Sequence, residues 1–535
     1  MRRKLAATPI LVIWALPLVA GLFSAVYASG DPAAWRDLFA HPQLWPALGL
    51  SLWTGTASTA AALLCALIIA AGFHRSPLWQ RLQLASAAGL AIPHLAFAIG
   101  FGFLIMPSGW LARLVAGGDT PPQWVTTQDP YGLSLIAALV LKEIPFFVAM
   151  IWSVLARGDA AASLEGQWRT ARSLGHGGGS VWLRVILPQL LPWLTWPIVI
   201  VWVYGATVVD MALVIGPTQP PTLGVILWND LNDATAAMNA RGLTGALFLT
   251  LVLAGIAAAA LLISKPSSSL LRNYLVRGPS RRKPPEMMAR FMVAAALLAY
   301  LATVAILVLM PLAPRWPYPL LWPPSLQMSA WSHLAADGAA LLLSLGLGLA
   351  TSLCALTFTV LWFESQPQRR DILLLGLALA ALGLPQLVTA SGQYMLFLKL
   401  NLTATLMGLF LAHLTPVAAY TVIVLAGPYR AFDPRFTAVA RSLQSGPWRL
   451  WWRVKAPLLR GPLLTAAAVG FSVSMVQFVP AQLIAAGRFA TLPMEAVTLS
   501  SGGNRALTAV YALVLTLPPL AVFALAGVLG RPRWR

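Results

Sequence analysis

The sequence contains twelve long apolar segments, which constrain the fold more than any other feature. A helix needs about 20 mostly apolar residues to cross a bilayer core about 30 Å thick. Hydrophobic residues make up 59% of the chain and charged residues 10%, whereas soluble domains carry roughly a quarter charged residues. We therefore predict an all-α polytopic membrane protein with spans at 8–28, 47–73, 85–106, 132–155, 189–209, 242–263, 292–312, 338–362, 372–397, 403–425, 463–485 and 507–528.

The basic residues lie mainly on one side of this predicted topology. With the N-terminus inside, 28 of the 36 lysines and arginines fall in inner segments, seven fall in outer segments, and Lys142 lies within a span. The positive-inside rule describes this asymmetry, so both termini are expected to face the cytoplasm. The apolar run after "MRRK" lacks a clear small-residue cleavage site and is interpreted as a retained first helix. The net charge of +20 therefore reflects topology, and no compact basic face remains to indicate nucleic-acid binding.

The chain is also a tandem repeat. "LLCAL" at 63–67 returns as "SLCAL" at 352–356, and "LAIPHLAFAIG" at 90–100 returns as "LGLPQLVTASG" at 382–392. Six spans separate the copies, and because this number is even, both halves have the same orientation, which gives a parallel repeat. The predicted units are a first half at 1–263 with a core at about 47–263, a cytoplasmic linker at 264–291, and a second half at 292–535 with a core at about 338–528.

The longest match between the halves is a polar, arginine-rich loop after the fourth span of each half. "ARSLGHGGGSVWLRVILP" at 171–188 and "ARSLQSGPWRLWWRVKAP" at 440–457 agree at nine of eighteen positions without a gap. One interpretation is a juxtamembrane helix held by lipid headgroups. Two matched copies favour another, in which each loop forms a short helix and turn that docks on a soluble dimeric partner. We refer to 165–188 as the first loop and to 434–457 as the second loop.

The two loops resemble the coupling loop E-A-A-x3-G-x9-I-x-L-P of binding-protein-dependent ABC importer permeases. The matching positions hold Arg169, Thr170, Ala171, Gly175, Val185, Leu187 and Pro188 in the first loop, and Ala438, Val439, Ala440, Gln444, Val454, Ala456 and Pro457 in the second. Gly175 is expected to let the chain turn where a Cβ would obstruct it. Both copies lack the glutamate and the second lacks the glycine, so Arg172 and Arg441 are expected to supply the polar contact, and Gly446 the second turn.

The resemblance covers both halves, in the manner of fused double permeases similar to the thiamine and ferric iron permeases. It implies the type I (MetI-like) importer permease fold, with about twelve transmembrane helices in two parallel six-helix repeats, in a bacterial inner membrane. It also implies a separate dimeric ATPase that holds ATP and Mg, and a soluble periplasmic binding protein that delivers thiamine, ferric iron or another small solute. Each loop would then dock on one ATPase subunit.

Polar residues within spans are candidates for the translocation pathway, because such groups are costly unless water, a partner or a solute meets them. His94 and Gln386 match in the third span of each half, each directly after a proline. Hydrogen bonding between helices is the alternative role for these two residues. Asp210 in "YGATVVDMALVIGP" has its counterpart close to Gln477 in "SVSMVQFVPAQ". We expect Asp210 and Gln477 to face the central cavity across the pseudo-two-fold axis.

Lys142 and Glu143 are adjacent in the fourth span, so their side chains do not face each other on a helix. Glu143 is a further candidate for the pathway. The alternative is structural, with one side chain extending outward to the membrane surface and the other capping a neighbouring helix.

No catalytic or cofactor-binding pattern accompanies these features in the sequence. The phosphate-binding pattern G-x-x-x-x-G-K-[ST] does not occur, and "GHGGGS" at 175–180 lacks its lysine and is interpreted as a turn. H-E-x-x-H and paired-carboxylate motifs are also missing from the sequence, so this chain is not expected to be an enzyme or to hold a metal. The main alternative function is an ATP-independent secondary transporter with twelve helices, which has no need of a repeated docking loop.

Overall fold

The computed structural model describes residues 7–156, 158–275, 280–336, 338–442 and 446–531. The α-helices in these ranges are α1 (Ala7–Ser29), α2 (Pro32–Phe39), α3 (Leu44–Phe73), α4 (Leu78–Ala91), α5 (His94–Ile105), α6 (Trp110–Val115), α7 (Leu133–Leu155), α8 (Gly158–Ser173), α9 (Gly178–Val181), α10 (Leu187–Thr207), α11 (Asp210–Ile215), α12 (Leu223–Leu231), α13 (Ala236–Leu275), α14 (Glu286–Leu309), α15 (Ser329–Ala336), α16 (Ala339–Ser365), α17 (Asp371–Gly383), α18 (Gln386–Lys399), α19 (Leu406–Arg430), α20 (Pro434–Ser442), α21 (Pro447–Leu450), α22 (Ala456–Leu458), α23 (Arg460–Met475), α24 (Val479–Ala485), α25 (Leu492–Ser501) and α26 (Arg505–Leu529).

A helix lies at each of the twelve segments predicted to span the membrane. Within the described ranges, nine helices are long and apolar enough to cross a bilayer, or up to eleven if each of two sharply bent helix pairs forms one span. One bent pair consists of α17 and α18, which meet at 104°. The prediction of an all-α protein with many membrane-spanning helices is therefore confirmed at this level.

Two of the predicted spans break at matched prolines. α4 gives way to α5 at Pro93, and α17 gives way to α18 at Pro385. Proline has no N–H to donate and disfavours helical backbone in the residue before it. The preceding residues, Ile92 and Leu384, are accordingly extended, with ψ angles of 123° and 141°.

The first helix of each half packs on the other half. α1 lies along α18, and α14 lies along α3 and α5. Small residues bring these helices together: a Cβ on Gly392 would collide with Gly21, and a Cβ on Gly100 would touch Thr303. Close packing through small residues is a common way for membrane helices to associate. Gly100 and Gly392 are matched positions of the repeat. The first helix of each half therefore packs on the other half at an equivalent place.

A buried apolar cluster also joins the two halves at their centre. Leu227 and Trp228 of α12 pack with Leu387, Phe478 and Val479 of the second half. The rings of Trp228 and Phe478 lie 5.2 Å apart. The two repeats therefore share one core.

The two ends of the segment predicted as a linker are helical. α13 continues to Leu275 and α14 begins at Glu286, so both helices extend into 264–291. Residues 280–285, the described part between them, are not helical.

Candidate functional site

The two loops share one backbone pattern. In the described residues, each loop contains a helix, a second short helix and a π-helical turn before a proline, and residues 443–445 of the second loop lie outside the described residues. The π-helical turns, Trp182–Ile186 and Trp451–Lys455, occupy the same five aligned positions and precede Pro188 and Pro457. π-helical turns are rare and occur frequently at functional sites, which supports treating the loops as a matched pair.

The helix of the first loop ends in a Schellman motif at Gly175. The Gly175 N–H donates to the carbonyl of Arg172, and the His176 N–H donates to the carbonyl of Ala171, both at 3.1 Å. These are the two hydrogen bonds of that motif. Gly175 has a φ of +86°, where other residues are strained, but a Cβ there would meet no atom within 4 Å. The expected turn is present. Glycine is required there by the left-handed backbone conformation. The expected collision of a Cβ with neighbouring atoms is not found.

Glu165 holds the first loop to the end of α3. Its carboxylate accepts a hydrogen bond from Arg75 at 2.5 Å and another from Nε of Arg169 at 2.9 Å. These two donors lower the pKa of Glu165 to about 2. Arg169, at the first E-A-A position, is thus paired, although 78% of its side chain stays exposed. The spacing of Glu165 and Arg169, four residues apart on a helix, is the sequence signal for this contact.

We call the contact between the first loop and the end of α3 the base of the first loop, and His74 supplies its apolar part. It directly follows α3, and its ring lies 5.2 Å from that of Trp168 and 4.8 Å from that of Trp182. Its Nδ1 lies 3.1 Å from the carbonyl oxygen of Ala70. Burial lowers the pKa of His74 to about 4, so this imidazole is neutral at pH 7.

The remaining predicted residues of the first loop lie at its tip and its exit. Thr170 donates to the carbonyl of Gly166, and Arg172 donates to the carbonyl of His176, each at 3.0 Å. Both side chains are exposed. Leu187 and Pro188 begin α10, where proline is tolerated because the first helical N–H groups have no intrahelical partner.

The helix of the second loop has a buried side and an apolar exposed side. Ala440 is buried, whereas Phe436 and Val439 are exposed. The side chain of Arg441 and the whole of Gln444 lie outside the described residues, so their predicted roles stay predictions.

Gly446 differs in conformation from Gly175. Its φ is not positive, and a Cβ on it would find open space. Gly446 therefore does not reproduce the left-handed turn that Gly175 provides. Pro457 lies in α22, after the π-helical turn.

A different set of residues holds the base of the second loop. Glu364, at the end of α16, accepts hydrogen bonds from Lys455 and from the hydroxyl of Tyr429, both at 2.5 Å. Trp451 donates to the same hydroxyl at 3.2 Å. The π-helical turn is thereby tied to the ends of α16 and α19.

Inside the helix bundle, Lys142 caps the break at Pro93. Its ammonium donates to the carbonyls of Gly89 at 2.8 Å and Ile92 at 2.6 Å. Pro93 has no N–H for the Gly89 carbonyl, which lies four residues before it. Because Lys142 is only 1% exposed, the alternative in which one of this pair extends outward to the membrane surface is wrong for Lys142, and Glu143 is buried as well.

Three of the predicted pathway residues lie together beside this break. Nε2 of His94 lies 3.1 Å from Oε1 of Glu143, and the His94 ring packs edge-on against Tyr204, with centroids 5.1 Å apart. Asp210 is the first residue of α11, is partly exposed, and interacts electrostatically with His94. Tyr420 of the second half interacts with Glu143 in the same way.

The two candidates from the second half have other surroundings. Gln386 is the exposed first residue of α18. Gln477 is buried, and its side-chain amide donates to the carbonyl of Val473 at 3.0 Å. Because α24 begins at Val479 as α11 begins at Asp210, Val479 is the positional counterpart of Asp210, and Gln477 lies two residues earlier.

Comparison with known proteins establishes the family. No protein-family model matches the chain. The chain is 31% identical, over 533 residues that cover 98% of it and 96% of the relative, to the "Inner membrane ABC transporter permease protein YnjC" of Escherichia coli (strain K12). The chain belongs to the ABC transporter permeases. A multi-pass location in the inner membrane and a role in transport are in accord with this membership and with the apolar helices.

The predicted pathway residues of this permease are distributed unevenly between its halves. His94, Glu143 and Asp210 form one group in the first half. In the second half, Gln386 is exposed and the Gln477 amide donates instead to the carbonyl of Val473. The repeat predicted matched positions, but the polar side chains at those positions do not have matched environments.

Proposed function

We propose that this chain is the translocation subunit of an ABC importer, and that its two loops couple solute movement to a separate dimeric ATPase. ATP and Mg belong to that partner. A soluble periplasmic binding protein delivers the solute, ATP closes the ATPase dimer, and the loops carry this movement into the helix bundle. Both termini face the cytoplasm in this arrangement.

The paired loops are the observation that carries this proposal. They repeat the same π-helical turn in two halves of equal orientation, which suits a partner that is itself a two-fold dimer. Each loop also exposes apolar side chains outside the candidate spans: Leu174 is 65% exposed, and Val439 is 62% exposed. Both side chains are therefore accessible to a partner that docks on the loops.

The solute is positively charged in this proposal. Thiamine and ferric iron, the solutes implied by the family resemblance, are both cationic. Glu143 and Asp210 lie inside the bundle beside His94, and intramembrane carboxylates of this kind commonly mark solute or ion pathways.

A double substitution at the two loop tips tests the coupling. Leu174→Glu with Val439→Glu should abolish co-purification of the partner ATPase, together with ATP hydrolysis stimulated by solute-loaded binding protein. Truncating a central interface residue costs about 2 kcal/mol or more, and a charge in place of each apolar side chain adds a desolvation cost. Both side chains are exposed, so the fold should tolerate the change.

Val125→Glu is the matched control. Val125 is 65% exposed and lies in the loop between α6 and α7, at the end of α7 away from the first loop. This variant should assemble and hydrolyse ATP as the wild type does. Unchanged co-purification of the double variant would leave only the juxtamembrane interpretation of the loops.

A further inference from the structure

The glycine-rich part of the first loop is paired with the linker between the halves. The Gly177 N–H donates to the carbonyl of Ser280 at 2.8 Å, and the Gly179 N–H donates to the carbonyl of Arg282 at 3.0 Å. Gly177 precedes α9 and Gly179 lies in its first turn, where backbone N–H groups have no partner within the helix, so the two carbonyls of the linker cap the start of this helix. We call residues 280–284 the linker strap.

The glycines permit this approach because they lack side chains. A Cβ on Gly177 would collide with the carbonyl of Arg282, and a Cβ on Gly179 would collide with the carbonyl of Lys283. A Cβ on Gly178 would lie 3.1 Å from the ring of Pro284. Gly177 has φ −68° and ψ 154°, which any residue can adopt. The need for glycine at 177 is therefore contact with the strap, not backbone conformation.

The second loop is not built to receive such a strap. The positions aligned with Gly177, Gly178 and Gly179 hold Gly446, Pro447 and Trp448. A Cβ on Gly446 would meet nothing within 4 Å, and the Trp448 side chain is exposed. A tryptophan side chain at the position of Gly179, where even a Cβ would collide with the strap, would occupy the place of the strap.

The strap leads directly into the second half. α14 begins two residues after it, and Ala289 on that helix packs against Gly72 near the end of α3. The first loop is therefore fixed to the first helix of the other half at its base, while the second loop depends on the helices of its own half.

We propose that the linker strap is a positioning element, which holds the first loop against the second half so that the two loops transmit ATPase closure unequally. This inference rests on the proposed function. The strap carries the first loop as one body with α14 and α3, and the second loop moves with α16 and α19.

Hydrogen exchange on the complete wild-type permease in detergent tests the strap without any substitution. The amides at 177–181 should exchange about thirtyfold more slowly than those at 446–450, after correction for intrinsic rates, since two hydrogen bonds at about 1 kcal/mol each protect the first segment. Equal exchange in the two segments would overturn the inference.

The variants Gly177→Ala and Gly427→Ala test its role in coupling. Gly177→Ala should lose the slow exchange at 177–181, retain the ATPase on purification, and lose about fivefold or more of the stimulation of ATP hydrolysis by solute-loaded binding protein, the lower end of usual coupling effects. Gly427 lies on α19 outside both loops, is exposed, and has no atom within 4 Å of an added Cβ, so Gly427→Ala should behave as wild type in all three measurements. If Gly177→Ala is not recovered as folded protein, the wild-type exchange comparison decides the question.

The outcomes separate the strap from the proposed function. Equal stimulation in both variants would overturn the unequal transmission while the ATPase still co-purifies. A wild-type permease that never binds an ATPase would instead overturn the proposed function, and the exchange experiment would still report on the strap.

Discussion

The first and second loops carry the same π-helical turn 269 residues apart, but different contacts hold it in place. At the base of the first loop, two tryptophans enclose a neutral His74, and Glu165 pairs with two arginines. At the base of the second, Glu364 receives a lysine and a tyrosine. The π-helical turn is the same in both, whereas the anchoring chemistry is not.

This difference teaches which property of the loops is constrained. A partner that recognises the shape and position of the two loops requires the shared π-helical turn to be kept. It places no requirement on the residues that hold the turn. The anchors only have to hold that shape against the ends of neighbouring helices. Ion pairs at such exposed sites contribute about 0–1 kcal/mol each, so many combinations of residues can serve.

Two helices that contain a proline show the same contrast inside the bundle. In α7 and α19 a proline follows a basic side chain by three residues: Pro145 follows Lys142, and Pro416 follows His413. In the first half that side chain is Lys142, which caps two carbonyls at the Pro93 break. In the second half it is His413, whose Nδ1 lies 2.9 Å from the hydroxyl of Ser474.

The largest effect is expected from removing the cap in the first half. Lys142→Met leaves the carbonyls of Gly89 and Ile92 buried without a partner and should destabilise the permease by about 2–6 kcal/mol, at about 1–3 kcal/mol for each. His413→Leu leaves the buried Ser474 hydroxyl without that partner and should cost about 1–3 kcal/mol. Unfolding midpoints of both variants in the same detergent compare them. Equal losses would mean that the Lys142 cap contributes no more than the single His413 contact.

A smaller effect is expected from pH, and only at the first loop. The pKa of His74 is lowered to about 4 by burial, below its ordinary value of 6.5, so the locally opened state takes up a proton before the folded state does. The contribution of neutral His74 to the stability of the first loop is therefore complete above pH 6.5 and is lost as the pH falls from 6.5 towards 4. Arg75 and Glu165 face His74, and Glu165 loses its charge only near pH 2.

Hydrogen exchange corrected for intrinsic rates, measured at pH 7 and pH 5, checks this expectation. Opening of 168–182 should rise on the order of tenfold at pH 5, while 439–442 and 446–455 should change little. His74→Gln, which cannot titrate, should remove the difference. A rise of the same size in that variant would assign the effect to another group.

Much of this architecture could be predicted from the sequence, because apolar length and proline position act locally. The helices at all twelve segments and the breaks at Pro93 and Pro385 follow from such signals. The packing of α1 on α18 could not be predicted, since contacts between Gly21 and Gly392 leave no pattern in a single chain. The linker strap was missed for the same reason: three glycines indicate a turn until the segment that lies against them is known.

The sequence repeat also predicted residue pairs more reliably than their environments. It matched the loop positions without a gap, because the backbone there is the repeated feature. It paired Asp210 with Gln477, two residues from the structural counterpart Val479, since each lies near a helix break where hydrophobic patterning gives no register. The sequence offers the capping of a neighbouring helix as an alternative for one of Lys142 and Glu143, but it does not name the acceptors, Gly89 and Ile92, because they lie about fifty residues away.

The smallest effect is expected from making the first loop resemble the second at its turn. Gly175→Gln places there the residue that the second loop carries at the aligned position, Gln444. Because Gly175 has a φ of +86°, the substitution should destabilise the end of α8 by about 1–2 kcal/mol and should speed hydrogen exchange at 170–176. Gly166→Ala, within the same helix and with open space around its Cβ, should have the opposite effect, a stabilisation of about 1 kcal/mol. If Gly175→Gln leaves exchange at 170–176 unchanged, the left-handed turn contributes nothing to the first loop, and the two loops differ only at their bases.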